Sequence, residues 1–435
     1  MLLNLSIAEF KAKRYADAAA HTAAVLERQP ESIAAQLFLG SSYEQLGEHA
    51  KAIPPLEKVL AAQPRERNAR LMLAEALFNL ERYRDAAEHF RAASELAPEN
   101  PAAWYGLGRA YDGLAEGVFR DLESENPKSP YHEVLAGDLY LKQRRYGSAF
   151  IHYHAALAAQ LDLPGIHAGL ATVYERTGHH DWAEIERKRE LQAAPDCRNA
   201  SLACDFAAGR FREIADATKS SSAAESRYWQ YRACMELAQQ AYERLLQLPP
   251  SLEAHLHRAK TLDAAGLYDG AAKQWAEAKK LARSGPGIDM ALAWSLFRAR
   301  EFTSALPIVD ELLKSDSRSR DVNFLRGAIL LNQDQPEQAV PALEASLRAD
   351  SGFLPAHAAL GRAYLETHQP ALAIPHLTAG LAEDEDGSIH FSLFRAYEIT
   401  GQSKLAGEAK AAYRQVLRSI AEKQRLEEGG SIAAP

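Results

Sequence analysis

Apolar residues recur along this chain at spacings of three and four, in short blocks that small or polar residues separate. In residues 33–66 the first block contains Gly40 and Tyr43, and the second contains Ala52 and Leu56. Spacings of three and four place side chains on one face of a helix. Each block therefore predicts one amphipathic helix, and the two blocks together predict a helix-turn-helix unit.

The same unit returns with a period of 34 residues. Equivalent alanines are Ala18, Ala52 and Ala86 near the start and Ala271, Ala305, Ala339 and Ala373 further along. The units end at prolines with the same spacing, namely Pro30, Pro64 and Pro98. Proline cannot continue a helix, so each one separates two units. A period of this length indicates a solenoid in which each unit contacts its neighbours.

The repeated motif resembles the tetratricopeptide repeat. Its first-helix signature is matched by Trp104-x-x-Leu107-Gly108-x-x-Tyr111, and its second-helix signature by Tyr83, Ala86, Phe90, Ala93 and Pro98. The resemblance covers nearly the whole chain, and the arrangement is similar to multi-repeat proteins of unknown function from soil bacteria. It implies an all-α, right-handed superhelix (an α-solenoid) of about 11–12 repeats, or about 24 helices, without strands.

The repeat pattern weakens in the middle of the chain. Residues 196–225 fit it poorly and include the predicted loop Ser220-Ser221-Ser222. We therefore expect an N-terminal array over 1–195 and divergent repeats with a hinge over 196–250. A C-terminal array with a long capping helix should follow over 251–427, and a disordered tail over 428–435.

Two units have a shortened interval between their helices. Ala86 and Ala115 are 29 residues apart, which predicts a trimmed turn between the helices of the unit that contains Trp104. Residues 109–122 align without insertion with residues 232–245. The alignment indicates a duplicated three-repeat block and predicts a second trimmed turn beside Ala238.

Composition narrows the class of partner and the compartment. The net charge is −8, whereas binding to nucleic acid phosphates requires concentrated Lys and Arg, so we expect no nucleic acid partner. No run approaches the roughly 20 apolar residues that span a bilayer, and the N-terminus lacks a signal-peptide pattern. These features predict a cytoplasmic protein. The first repeat lacks its opening residues, so a periplasmic or exported location follows if a leader is missing from this chain.

Cysteine and histidine give little indication of chemistry. Cys197, Cys204 and Cys234 are too few and too irregular for a disulfide framework or a zinc site, which favours a reducing compartment. We expect Cys197 and Cys204, seven residues apart, to pack as buried side chains. The pairs His152/His154 and His255/His257 have a spacing of two, which places the two side chains on different faces of a helix. A metal site at His179-His180-Asp181 is the alternative to a structural role. No motif of a nucleophile, phosphate loop or metallohydrolase is present, so we expect no catalytic residue, metal or cofactor.

The family resemblance implies a binding groove lined by positions two, five, nine and twelve of each first helix. Carried over to this chain, these positions are Asn68, Leu71, Glu75, Phe78, Tyr105, Arg109, Asp112, Tyr131, Asp138, Trp294, Phe324, Arg362, Phe391 and Arg395. Aromatic residues beside Arg are enriched in protein hot spots. About half of the set should be ordinary packing between repeats.

Two functions fit these features. The first is a non-enzymatic scaffold whose concave groove binds a peptide or helix of a partner protein. The alternative is the regulatory or substrate-recruiting region of an enzyme whose catalytic domain lies elsewhere. The N-terminal end lacks a polar cap, which allows self-association there.

Overall fold

The computed structural model describes residues 2–159, 163, 165–192, 197–198, 201–218, 220–282, 285–425, 427 and 432–435. In these residues it contains 24 α-helices, one short 3-10 helix and no strand, which confirms the predicted all-α repeat fold. The chain divides into two compact units. Unit 1 comprises Met1–Ala254 with Ala433–Pro435, and unit 2 comprises His255–Ile432.

Unit 1 consists of antiparallel helix pairs interrupted by two long helices. Its helices are α1 (Leu2–Lys11), α2 (Tyr15–Arg28), α3 (Ile33–Gln45), α4 (His49–Ala62), α5 (Arg67–Asn79), α6 (Tyr83–Leu96), α7 (Pro101–Glu125), α8 (Pro130–Lys142), α9 (Tyr146–Ala158), α10 (Ile166–Arg176), α11 (His180–Gln192), α12 (Leu202–Ala207), α13 (Phe211–Ala217) and α14 (Ala224–Gln247).

Unit 2 continues the same repeat. The division between the units falls within α15 (Leu252–Ala264), and the helices that follow are α16 (Tyr268–Leu281), α17 (Pro286–Arg298), α18 (Phe302–Ser315), α19 (Arg320–Asn332), α20 (Pro336–Ala349), α21 (Leu354–Glu366), α22 (Pro370–Ala379), the 3-10 helix Gly380–Glu383, α23 (Ser388–Ile399) and α24 (Ser403–Arg425). α24 has 23 residues, so the predicted long final helix is confirmed.

In each regular pair, the residue two positions after the end of the first helix has the left-handed conformation. Such a residue reverses the chain at a helix C-terminus and recurs here with the repeat. The residues are Lys13, Gly47, Glu81, Arg144, Gly178, Gly209, Gly266, Arg300, Asp334, His368 and Gly401. The turn geometry is therefore constant even where the residue type is not.

α7 and α14 lack this turn. The position in α7 that follows Glu81 by one period is Ala115, which is helical, and the helix runs on to Glu125. α14 likewise continues through Ala238. The predicted trimmed turns are therefore wrong, because the missing residues include the left-handed turn and the first helix runs directly into the second.

A side chain near the start of several first helices closes the loop from the preceding repeat. Its hydrogen-bonding group contacts the backbone carbonyl six residues earlier, at the end of the previous unit. These contacts are Gln36 to Pro30, Arg70 to Pro64, Trp104 to Pro98, Asn323 to Ser317 and His357 to Ser351. The repeating prolines thus supply an acceptor as well as a helix stop.

The core of unit 1 contains a contact between helices that are not successive in the chain, in addition to the contacts between neighbouring repeats. α14 packs against α7, and Cys234 and Leu237 lie in the same apolar cluster as Leu107 and Tyr111. The helices are antiparallel, because Tyr242 near the end of α14 meets Asp112 in the first half of α7. This pairing joins segments that are far apart in sequence, which the nearest-neighbour prediction did not include.

The predicted hinge region contributes to this core. Phe211 and Ala215 of α13 pack on the α6–α7–α14 cluster, and Arg84 donates a hydrogen bond to the carbonyl of Ala215 across 3.2 Å. Residues 193–196, 199–200 and 219 lie outside the described residues. The hinge stays a prediction.

The predicted disordered tail lies partly outside the described residues, which exclude 428–431. Within the described part, the hydroxyl of Tyr174 donates a hydrogen bond to the carbonyl of Ala433 across 2.9 Å. The disorder of 428–435 is therefore a prediction for experiment.

Candidate functional site

Four of the predicted groove residues in unit 1 form one packed cluster on α5 and α7. Arg109 donates from Nη2 to Oε2 of Glu75 across 3.1 Å. Its guanidinium lies 3.9 Å from the ring centroid of Phe78 and 5.3 Å from that of Tyr105, and the Tyr105 side chain is buried. The arrangement satisfies Arg109 with a carboxylate and two aromatic faces of its own chain.

Helix α14 covers the next predicted position on α7. The hydroxyl of Tyr242 donates to Oδ2 of Asp112 across 2.5 Å, and a Cβ on Gly108 would come within 2.5 Å of the Tyr242 ring. Burial, followed by the charge of Asp112, raises the pKa of Tyr242, so its proton stays in this hydrogen bond. The sequence contains the small residue that admits Tyr242 but no indication of which ring fills the space.

A partly buried polar network fixes α14 to α8 and α9. Asp138 accepts hydrogen bonds from the Tyr153 hydroxyl across 2.7 Å and from Nη1 of Arg232 across 3.4 Å. Arg232 also donates to the hydroxyl of Tyr228, whose ring centroid lies 5.5 Å from that of Tyr131. Burial raises the pKa of Asp138, and the Arg232 charge opposes that shift. Tyr131 and Asp138 therefore hold the fold of unit 1 together.

The remaining predicted residues of unit 1 differ from each other in position. Asn68 is exposed at the start of α5, whereas Leu71 packs against the apolar core. In unit 1, therefore, the predicted groove is filled by side chains and by α14. The residues that sequence analysis missed are Tyr228, Arg232 and Tyr242 of that helix.

Unit 2 presents a comparable face on its first helices. α17, α19, α21 and α23 lie side by side in that order. The ring of Phe324 on α19 lies 6.1 Å from Trp294 on α17 and 5.2 Å from Phe353 before α21. Trp294 and Phe324 are half-buried, so each contributes to packing and keeps part of its ring accessible. Phe353 was not among the predicted residues.

The same face continues with more exposed residues on α21 and α23. Phe391 is 42% exposed and contacts Phe394 and Tyr413. Arg362 pairs with Glu366 across 3.1 Å on the surface, and Arg395 is exposed. We call the set Trp294, Phe324, Arg362, Phe391 and Arg395 the first-helix face of unit 2.

One histidine of each pair takes part in a contact between helices. Nδ1 of His152 lies 2.7 Å from Oε2 of Glu133, and Nδ1 of His255 lies 2.8 Å from Oε1 of Gln274. No three His, Cys, Asp or Glu side chains converge as metal ligands in the part of the chain that the structure describes. In the same residues, no helix is both long and apolar enough to cross a membrane.

The cysteines depart from the sequence prediction. Cys197 and Cys204 form a disulfide, so the prediction that they serve packing alone is wrong. Cys197 lies in a turn and Cys204 in α12, and the side chain of Ser201 caps that helix. The turn brings the two Cα atoms to 5.6 Å, within the range that a disulfide spans. Cys234 is buried and free, and burial raises its pKa to about 12.

Comparison with known proteins agrees with the repeat architecture. The family model of the tetratricopeptide repeat matches residues 3–67, 71–130 and 290–352. No curated protein matches the sequence significantly.

Several solved structures are similar to this chain at low identity and low TM-score. MamA (residues 41 to the end) from Desulfovibrio magneticus RS-1 is 21% identical, with a TM-score of 0.35 over 39% of this chain and 96% of that one. TTC0263 from Thermus thermophilus is 18% identical, with a TM-score of 0.34 over 42% of this chain and 100% of that one. Yeast Tom70 is 16% identical, with a TM-score of 0.35 over 98% of this chain and 93% of that one. Over residues 3–67, 71–130 and 290–352 the chain matches the tetratricopeptide repeat family, and helix pairs of the same kind recur outside these three segments.

Proposed function

We propose that this chain is a non-enzymatic scaffold that binds a peptide or helix of a partner protein along the first-helix face of unit 2. The observation that carries the proposal is the contrast between the two units. In unit 1, α14 and internal ion pairs occupy the predicted groove residues. In unit 2, Phe391, Arg362 and Arg395 are exposed on α23 and α21, and the half-buried rings of Trp294 and Phe324 lie on α17 and α19 of the same row of helices.

The residue types suggest the chemistry of the partner. Partly exposed aromatic rings provide apolar contact area at low conformational cost, and Arg binds carboxylates with two hydrogen bonds. A partner segment with large apolar side chains next to Asp or Glu would complement both. Binding through a few such anchors is typical of protein interfaces.

The proposal is tested by selecting displayed peptides on the full-length protein and measuring the affinity of an enriched peptide. We expect the double variant Phe391→Ala/Arg395→Ala to weaken binding about tenfold or more, since hot-spot truncations cost upwards of 1 kcal/mol. The matched control is Leu372→Ala/Arg348→Ala, which removes an exposed apolar residue and an exposed Arg from second helices of the same unit.

Two results contradict the proposal. One is an equal loss of affinity in the control, and the other is crosslinking of the peptide from a photoreactive residue in unit 1 but not from position 391. Self-association through the N-terminal end stays a separate prediction, and α1 exposes Leu5 there. Analytical ultracentrifugation of the free protein measures it independently of the peptide.

A further inference from the structure

Unit 1 contains a cavity of about 490 Å³ that lies outside the predicted groove residues. It lies between residues 81–85 at the start of α6, the middle of α7, the loop Ser220–Ser222 and Arg227 of α14. Its volume is within the range of small-molecule sites. We call it the α6–α7 cavity.

The fusion of two helices into α7 accounts for the open space. Where regular pairs turn, α7 continues as a helix with glycine at positions 113 and 117. The ring of Tyr83 covers Gly113, whereas a Cβ on Gly117 would meet no atom within 4 Å. The cavity therefore lies where the shortened repeat lacks the turn of a regular pair.

Arg227 supplies a positive charge in the cavity wall. Only 8% of the residue is exposed, and its Nη2 pairs with Oε2 of Glu125 across 2.9 Å. Its Nη1 is buried and has no hydrogen-bond partner among the described residues. Nη1 itself has no surface open to the cavity, so a ligand would meet the exposed tenth of the Arg227 side chain and be attracted by its charge.

The other charges that line the cavity differ in whether they are neutralised. Arg82 pairs with Asp85 across 2.5 Å, and Arg84 donates to the carbonyl of Ala215. Glu81 and Asp121 also line the cavity, without an ion pair in the described part of the chain. The wall therefore offers the Arg227 charge and serine hydroxyls together with two exposed carboxylates. Leu114 and Val118 add apolar surface between them.

We propose that the α6–α7 cavity binds a zwitterionic ligand that carries an α-ammonium and an α-carboxylate group, as a free amino acid or a short peptide does. The ligand carboxylate accepts from the serine hydroxyls and lies near the Arg227 charge, and the ligand ammonium group donates to Glu81 or Asp121. A neutral or purely anionic ligand would leave those two carboxylates without a cationic partner. An aliphatic ligand side chain fits against Leu114 and Val118.

The test is thermal unfolding with calorimetric titration on the full chain. The probes are L-leucine and the dipeptide L-alanyl-L-leucine, which distinguish the two sources of the zwitterion. Sodium acetate, inorganic phosphate and N-acetyl-L-leucine amide are the controls. We expect one zwitterion at about 10 mM to raise the melting temperature by about 2 °C, by linkage of binding to folding.

Gly117→Leu fills the cavity from a helical position without an existing neighbour, so we expect a folded variant that has lost the response. Gly407→Leu is the matched control, because Gly407 is also helical with no atom near its Cβ position. Asp121→Asn should weaken the response to zwitterions. The proposal is overturned if neither zwitterion binds, if acetate or phosphate binds equally well, or if Gly117→Leu binds like the wild type.

Discussion

The hydroxyl of Tyr242 donates a hydrogen bond to the carboxylate of Asp112, and this 2.5 Å contact joins helices that are 130 residues apart in sequence. The Tyr242 ring lies over Gly108. In the alignment of the duplicated stretches, Gly108 corresponds to Tyr231 and Tyr242 corresponds to Phe119. Phe119 and Tyr231 also contact each other, with ring centroids 6.1 Å apart. The duplicated helices therefore pack on each other with matching contacts at both ends.

The contact predicts the outcome of a glycine substitution. We expect Gly108→Ala to lower the free energy of unfolding by about 1–3 kcal/mol, because the new methyl group overlaps the Tyr242 ring. Gly117→Ala in the same helix meets no neighbour and should raise stability by up to about 1 kcal/mol through helix propensity. Urea unfolding monitored by circular dichroism measures both. Equal effects of the two substitutions would show that the α7–α14 contact is loose.

The side chains that close the loops between repeats predict a second effect. Asn323 is buried, and its Nδ2 donates to the carbonyls of Ser317 and Ser319. We expect Asn323→Ala to cost about 1–3 kcal/mol, because two carbonyls lose their donor. Asn332→Ala, at an exposed position of the same helix, should change stability by less than about 0.5 kcal/mol. Thermal unfolding of both variants decides the matter, and a neutral Asn323→Ala would contradict the structural role.

Unit 2 should lose stability in mild acid. Burial lowers the pKa of His376, and the neighbouring His357 lowers it further, with Nδ1 atoms 2.8 Å apart, whereas Glu344 acts in the opposite direction. Because the folded-state pKa lies below the ordinary value of about 6.5, the unfolded chain binds the proton first as the pH falls. The contribution to stability is therefore complete above about pH 6.5 and declines below it.

The matching measurement is the melting temperature between pH 8 and pH 5. We expect His376→Gln to reduce the acid-induced decrease, since the group that titrates is absent. The control His368→Asn replaces an exposed histidine whose left-handed backbone conformation asparagine tolerates. A decrease that is identical in wild type and His376→Gln would assign the acid sensitivity to other groups.

The disulfide predicts a thiol count. Under denaturing, non-reducing conditions we expect one reactive thiol, from Cys234, and three after reduction. Cys197→Ser should cost about 2 kcal/mol, as expected for a short closed loop. A disulfide favours an oxidising compartment, in contrast to the predicted cytoplasmic location. Three thiols before reduction, in protein isolated from its native compartment under alkylating conditions, would favour the cytoplasm.

Hydrogen exchange tests the predicted hinge. α12 and α13 have six and seven residues and bury few side chains, so their amides should exchange faster than those of α19. α14 should exchange as slowly as α7, because Tyr228, Trp229 and Cys234 are fully buried. Equal protection of α12, α13 and α19 would mean that the chain does not open at this point.

The period of the sequence was sufficient to predict the helix pairs. Small residues such as Gly40 and large ones such as Tyr43 recur because each unit repeats the same local packing. For about half of the predicted groove residues, the period did not show whether the side chain faces solvent or packs inside the protein. Arg109 and Asp138 have the same position and chemistry whether they face solvent or another part of the chain, and their partners Glu75 and Arg232 follow from the three-dimensional fold.

The sequence by itself determined the local structure, because the helix faces, the prolines and the left-handed turns act over a few residues. Tertiary structure alone decided that α14 returns to α7, since the shortened unit leaves an unpaired helix face that a distant, duplicated helix covers. The disulfide and the α6–α7 cavity also depend on contacts between distant or irregular segments. In a regular repeat each unit packs against the units next to it in sequence, so the period predicts those contacts. Where the period is interrupted, contacts between distant segments decide which surfaces are buried and which can bind.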